Sequence, residues 1–238
     1  MTDAAYRDRV SRIETYFDRT AVRAWEQMTS DAPLGRIRAT VRAGRDQMRA
    51  EILAMLPVDM TGLRLLDAGC GTGALSVEAA ARGADVVAVD ISPKLVAIAS
   101  QRAPESLAGR LDFRVGDLAD PAIGRFDHVV AMDVLIHYSL PQATATLASL
   151  ARRADRSLLF TFAPKTPTLA AMHAVGRLFP RGDRSPAIEP VWESSVRSAI
   201  EAEPALGDMR QGRTVRVKSG FYISQVLELT RALGGSRR

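Results

Sequence analysis

The stretch Leu63-Arg64-Leu65-Leu66-Asp67-Ala68-Gly69-Cys70-Gly71-Thr72-Gly73-Ala74 decides the architecture. Its first half, LRLLDA (63–68), is a short apolar run bounded by turn residues, the pattern of a strand buried on both faces. Its second half, GCGTG (69–73), puts glycines where the chain must turn sharply and let a ligand approach the backbone. A helix follows over Ala74–Arg82, with Gly83 as its stop. The rhythm then repeats. DVVAVD (85–90) reads as a second strand, and Ser92 and Pro93 open the next helix as cap and first residue. Leu111–Val115 and Phe126–Asp133 are expected as strands, Leu140–Ala154 as a helix and Ser157–Ala163 as a fifth strand. Such alternation predicts a doubly wound parallel sheet with helices on both faces. Thr214–Lys218 and Phe221–Leu229 are expected to complete seven strands.

Two segments stand outside this rhythm. Residues 1–56 read as an N-terminal helical cap on a domain spanning 57–238. Tyr6, Val10, Ile13, Phe17, Ala21, Trp25 and Met28 recur at helical spacing, Pro33 and Gly35 mark a turn, and helix resumes over 36–56. Residues 164–190 hold prolines at 164, 167, 180, 186 and 190 and the basic residues Lys165, Arg177, Arg181 and Arg184. Within them Ala170–Phe179 reads as a short apolar helix, so the segment is expected to be a lid-like insertion. Residues 191–203 return to helix.

Composition narrows the class. Of 238 residues, 47% are hydrophobic, enough for a sizeable core. The single cysteine, Cys70, excludes an internal disulfide framework and favours a reducing, cytoplasmic setting. The N-terminus shows no apolar signal-peptide region, and no run approaches the roughly 18 apolar residues of a membrane span. The net charge is +5, and of 32 basic residues only Lys94, Lys165 and Lys218 are lysines. Arginine-rich surfaces attract anionic partners, and the planar guanidinium suits carboxylates. No aromatic-rich RNA platform is visible, so nucleic acid is not an expected partner.

Gly69, Gly71 and Ala74 also fit the dinucleotide pattern GxGxxG/A. Asp67, just before the turn, weighs against it, because a pyrophosphate placed there would meet a carboxylate. S-adenosylmethionine (SAM) carries an ammonium and a sulfonium, and an acid suits both. Asp90, ending the second strand, can accept hydrogen bonds from both ribose hydroxyls. Asp117 in VGDL can take the adenine amino group while Leu118 packs the ring. Asp67, Gly69, Cys70, Gly71, Gly73, Asp90, Ile91, Asp117, Leu118 and Asp133 are therefore the expected cofactor-binding residues. The fold expected is that of a Rossmann-like class I SAM methyltransferase. Of the three histidines, His128 lies inside a strand and His173 on an apolar segment, and both read as structural.

The segments YFDRTAVRAW (16–25), MDVLIHY (132–138), FTFAPKTP (160–167), RLFPRGDR (177–184) and GFYISQVLEL (220–229) carry a more specific likeness. Together they resemble the Mg-protoporphyrin IX O-methyltransferases of chlorophyll and bacteriochlorophyll synthesis. The resemblance implies methyl transfer from SAM to the 13-propionate of Mg-protoporphyrin IX, leaving S-adenosylhomocysteine (SAH), with no protein-bound metal. It implies that His137 is catalytic, by orienting the propionate or ligating the substrate's Mg, and that Tyr138, Trp25 and Thr29 line the substrate. A tyrosine implicated in the active site of oxygen-evolving relatives is replaced here by Thr29, so a catalytic tyrosine is not carried over. The family further suggests contact with the large subunit of Mg-chelatase and a place peripheral to the photosynthetic membrane. A methyltransferase for another planar or quinone-like substrate, or for RNA, is the alternative.

Overall fold

Apolar runs such as LLDA and VVAV have no polar face to turn to water, so they persist only where both faces are covered. The computed structural model describes residues 35–118, 120–165 and 188–231, and it places these runs at the centre of a seven-stranded sheet. The elements are α1 (Arg36–Met55), β1 (Arg64–Ala68), α2 (Ala74–Ala81), β2 (Asp85–Asp90), α3 (Pro93–Arg102), β3 (Arg110–Val115), β4 (Phe126–Ala131), α4 (Leu140–Ala151), β5 (Ala154–Phe162), α5 (Glu193–Ala202), β6 (Met209–Ser219) and β7 (Tyr222–Arg231). Strand order is β3-β2-β1-β4-β5-β7-β6. β1 pairs in parallel with both β2 and β4, so Leu66 stands beside Val87 on one flank and Val129 on the other.

Successive side chains on a strand point to opposite faces. Leu66, Val87, Val129, Leu158 and Leu227 share a core with Leu147 and Leu150 of α4 and Val196 and Ile200 of α5. Leu65, Val86, Val130, Leu159 and Val226 share another with Met48, Ile52 and Leu53 of α1 and Ala79 and Ala80 of α2. The described part of the expected helical cap is thus a layer of this core.

Strands β1 to β5 are parallel, as the alternation predicts, and the last two are not. β7 runs antiparallel to β5, and β6 antiparallel to β7. β6 and β7 are joined by Gly220 and Phe221, and Gly220 has φ 54°, as tight hairpin links require. β6 is also longer than Thr214–Lys218. It is an edge strand whose Arg210, Arg213, Arg216 and Lys218 give it no apolar alternation, and charge there discourages edge-to-edge pairing. β4 stops at Ala131 rather than Asp133, because Asp133 has φ 57°, outside the strand region. α4 ends at Ala151, and β5 begins at Ala154. The polar start of β5 hides its strand character, but Arg125–Asp155 and Arg156–Asp127 ion pairs seat it beside β4. His128 is buried in β4, with Nδ1 2.7 Å from Ser157 Oγ, the structural role expected of it. His173 lies outside the described residues.

One close approach fixes α1 on the sheet. A Cβ at Gly44 would lie 2.5 Å from the buried Tyr222 ring, so the α1 backbone rests directly on β7. Alanine favours helix over glycine by about 1 kcal/mol. Overpacking at a site with no room typically costs about 1–3 kcal/mol. Gly44→Ala is therefore expected to lower the denaturant midpoint. A midpoint equal to or above the parent's would show that α1 does not need this contact.

Candidate active site

Parallel strands present their carboxyl ends at one edge of the sheet, and the loops leaving β1 to β4 meet there. They surround a cleft of about 740 Å³, counted with the space that opens to solvent. The turn after β1 is made by Gly69, Gly71 and Gly73, with φ 87°, 55° and 80°. A Cβ at Gly69 would lie 2.2 Å from Val134, and one at Gly73 2.6 Å from Phe113, so these two glycines serve packing. A Cβ at Gly71 would meet no protein atom within 4 Å and would stand in the cleft.

Asp90 closes the turn. Its Oδ2 accepts the Gly71 N–H at 2.8 Å and its Oδ1 the Ser92 N–H at 2.9 Å. A carboxylate offers about four acceptor sites. The Ile91 N–H also acts on it, and the acceptor capacity left over faces the cleft, where it suits a ribose hydroxyl. Burial pushes the Asp90 carboxyl above its ordinary range, and the backbone N–H groups pull against that shift. Val89, Ile91, Leu95 and Leu118 give the same end of the cleft an apolar lining beside Asp117, which suits a nucleobase.

At the other end, Met132, Asp133 and Val134 leave β4, and a 3₁₀ turn over Leu135–His137 carries His137 and Tyr138 to the cleft. Both are almost buried, at 7% and 5% exposure. The chain around 188–191 braces this turn, with Glu189 N–H donating to the Ile136 carbonyl at 2.8 Å and Val191 N–H to the Ala163 carbonyl at 3.0 Å.

Of the expected residues, Gly69, Gly71, Asp90, Ile91, Asp117, Leu118, Asp133, His137 and Tyr138 all line this cleft. Asp67, Cys70 and Gly73 are not among its lining residues. Asp67 is 2% exposed, and its Oδ2 accepts the Ser76 hydroxyl at 2.5 Å. Burial, with the Asp90 charge adding to it, pushes the Asp67 carboxyl up to about 7. Cys70 packs against the core on the α1–α2 face, and burial with two nearby acids pushes its thiol up, which is no setting for a nucleophile. Trp25 and Thr29 lie outside the described residues.

Sequence reasoning missed Arg45 and Tyr222. Arg45 lines the cleft from α1, and its Nη1 lies 3.2 Å from Asp133 Oδ2. The Tyr222 hydroxyl donates to the same carboxylate, 3.0 and 3.2 Å from its two oxygens. The Gly44-Arg45 pair inside an otherwise good helix was a local hint, but nothing near it in the chain names its partners.

An open glycine-walled cleft, an acid at the end of β2 and an apolar wall beside it suit a nucleoside-bearing cofactor such as SAM, the arrangement of class I SAM-dependent methyltransferases. Residues 65–156 match the methyltransferase domain family, and residues 131–231 match the family described as magnesium-protoporphyrin IX methyltransferase C-terminus. The chain is 50% identical to the magnesium-protoporphyrin O-methyltransferase of Rhodobacter capsulatus over 92% of this chain and 95% of that one. It is 36% identical to the Synechocystis enzyme of the same name, over 98% and 100% of the two chains. The crystal structure of magnesium protoporphyrin IX methyltransferase from Synechocystis with bound SAH superposes with a TM-score of 0.83 at 34% identity, covering 93% of this chain and 99% of that one. This chain belongs to the magnesium-protoporphyrin O-methyltransferase family and is a SAM-dependent O-methyltransferase. Similarity to a ubiquinone biosynthesis O-methyltransferase of Xanthomonas oryzae covers only 52% of this chain, and a quinone-like or RNA substrate is not favoured.

Hydrogen bonds to a charged group are worth about 1.5–3 kcal/mol. Asp90→Ala is expected to weaken SAH binding roughly ten- to a hundredfold in calorimetry. Gly71→Ala adds about 1–2 kcal/mol of left-handed backbone strain and should block binding in a protein that still folds. Unchanged affinity in both variants would remove the cofactor from this cleft.

Asp67 makes a separate prediction. Its raised folded pKa means that folding takes up a proton between the ordinary carboxyl range, near pH 4, and about 7. Its contribution is fully present below pH 4 and is lost as pH rises through about 7. Asp67→Asn removes that loss. The variant's stability relative to the parent should rise from pH 4 to 7 and level off above, by an amount on the order of 2–4 kcal/mol for the free protein. A difference that does not change with pH would show that Asp67 is an ordinary carboxylate in the folded state.

Proposed function

We propose that this chain transfers a methyl group from SAM to the 13-propionate of Mg-protoporphyrin IX, with His137 as the residue that meets the substrate. The observation that carries this reading is the position of His137. It is placed by a 3₁₀ turn straight after β4, on the same cleft as Asp90. Gly71, Asp90, Asp117 and Leu118 are the residues that would hold SAM, whose sulfonium supplies an electrophilic methyl group.

The protein's own task is modest in acid–base terms. A propionic acid titrates near an ordinary glutamate, about pH 4.3, so the nucleophile is already an anion at neutral pH. No general base is needed. What the chain must do is align one carboxylate oxygen and exclude water. His137 and Tyr138, nearly buried and backed by the chain at 188–191, are suited to both. The apolar, arginine-bearing stretches 1–35 and 164–190 are proposed as the cover for the porphyrin face, and they fall largely outside the described residues. Contact with the large subunit of Mg-chelatase and with a membrane surface are further proposals, prompted by a poorly soluble substrate. Among the described residues no helix is long and apolar enough to cross a membrane.

His137→Ala is expected to lower methyl transfer while leaving SAH affinity within a factor of about two, since the roles it fills lie on the substrate side. Mg-protoporphyrin and metal-free protoporphyrin separate those roles. A Mg ligand makes the substitution costly only for the metallated substrate, and a propionate partner makes it costly for both. Parent-like turnover of Mg-protoporphyrin by His137→Ala would remove His137 from the site.

A further inference from the structure

Arg45 and His137 are the only basic side chains among the described residues lining the cleft, where Asp90, Asp117 and Asp133 also stand. Both ligands proposed above bring carboxylates to this site. SAM carries the α-carboxylate of its methionine half, and the porphyrin carries propionates. An acid-rich wall repels such groups, so a carboxylate is accommodated only where a cation is fixed among the acids.

The fold fixes Arg45 in two ways. Its backbone is set by the neighbouring Gly44, which rests on the Tyr222 ring with no room for a Cβ. Its head group is set by Asp133, 3.2 Å from Nη1. Asp133 is itself held hard. Its side chain is 5% exposed. Its carboxylate accepts from the Tyr222 hydroxyl at 3.0 and 3.2 Å and from the Ser224 and Thr161 hydroxyls at 3.4 Å. The Asp133 N–H donates to Thr161 Oγ1 at 2.7 Å, and together these bonds hold a non-glycine residue at φ 57°. Burial and the Asp133 charge push the Tyr222 phenol well above its ordinary value, so Tyr222 is a donor throughout the working pH range. The Asp133 carboxylate is thus turned to this cluster, which leaves it a poor partner for the cofactor's ammonium.

We infer that Arg45 is the carboxylate-binding residue of the cleft, and that Asp133 and Tyr222 are positioning residues that aim it. The inference rests on the cofactor and substrate named above. It treats the Arg45–Asp133–Tyr222 array as one unit, reaching from α1 across β4 to β7.

Ligand discrimination tests it. SAH is compared with decarboxylated SAH, and Mg-protoporphyrin IX with its dimethyl ester, by calorimetry or fluorescence on the parent, Arg45→Gln, Tyr222→Phe and Asp133→Asn. Tyr222→Phe keeps the ring against Gly44 and removes only the hydroxyl. Asp133→Asn removes the charge and nearly preserves the shape. Arg45→Gln should reduce the preference for the carboxylate-bearing member of one pair roughly ten- to a hundredfold. Loss in the SAH pair identifies the methionine carboxylate as the group bound, and loss in the porphyrin pair identifies the propionate. Tyr222→Phe and Asp133→Asn should move the same preference in the same direction by a smaller factor, even where their melting temperatures are unchanged. If Arg45→Gln leaves both preferences intact in a folded protein, the role of Arg45 is overturned. If only Arg45→Gln has an effect, the positioning role of Asp133 and Tyr222 is overturned. A parent that binds SAH but fails to methylate Mg-protoporphyrin would instead overturn the substrate reading and leave the SAH comparison standing.

Discussion

The Asp90 carboxylate is the constraint on which the cofactor end depends. It ties the Gly71 N–H of the turn after β1 to the Ser92 N–H that begins α3. Two loops from adjacent parallel strands are thereby locked by one partly buried group. Burying a carboxylate is unfavourable unless hydrogen bonds compensate, and its raised pKa records that the compensation is partial.

The other end of the cleft depends on a different compensation. Asp133 lies in a backbone conformation disfavoured for a residue with a Cβ, and four side chains from three elements surround its carboxylate. Arg45 comes from α1, Thr161 from β5, and Tyr222 and Ser224 from β7. The antiparallel β6–β7 hairpin therefore does more than extend the sheet. It delivers Tyr222 to the loop that follows β4 and seats α1 against the sheet at Gly44. Without β7, Asp133 would lose the Tyr222 and Ser224 hydroxyls that hold it opposite Arg45.

What could be read from the chain follows from the range over which each signal acts. Buried parallel strands are continuous apolar runs, so β1, β2 and the turn between β1 and α2 were legible residue by residue. β6 was half-missed because an edge strand carries charge instead of alternation, and the start of β5 because its polar residues are satisfied by ion pairs with neighbouring strands. The direction of β7 is not encoded in its own composition. The short Gly220–Phe221 link fixes only that it runs antiparallel to β6. Among the expected site residues, nine line one cleft. Asp67 shows the limit of motif reasoning. The residue type was right for a cationic ligand, yet its position is beneath the turn, bonded to Ser76. Arg45 and Tyr222 were invisible because their meaning lies in contacts to Asp133 at sequence separations of nearly ninety residues on either side.

The two family matches divide the molecule in a way the geometry explains. The general methyltransferase match spans residues 65–156 and contains the glycine turn, Asp90 and Asp117, all of which face the end of the cleft suited to a nucleoside. The specific match spans 131–231 and contains His137, Tyr138, Thr161, Tyr222 and Ser224. The two overlap on the loop after β4, where Asp133 and His137 stand four residues apart and line the same cleft. That loop sets both residues by one short stretch of backbone. A displacement of Asp133 would move Val134, whose side chain fits against Gly69, and would move His137 through the 3₁₀ turn. The left-handed conformation at Asp133 is therefore the joint between the two halves. The hydroxyls that hold it come from Thr161, Tyr222 and Ser224, all within the half that distinguishes this family.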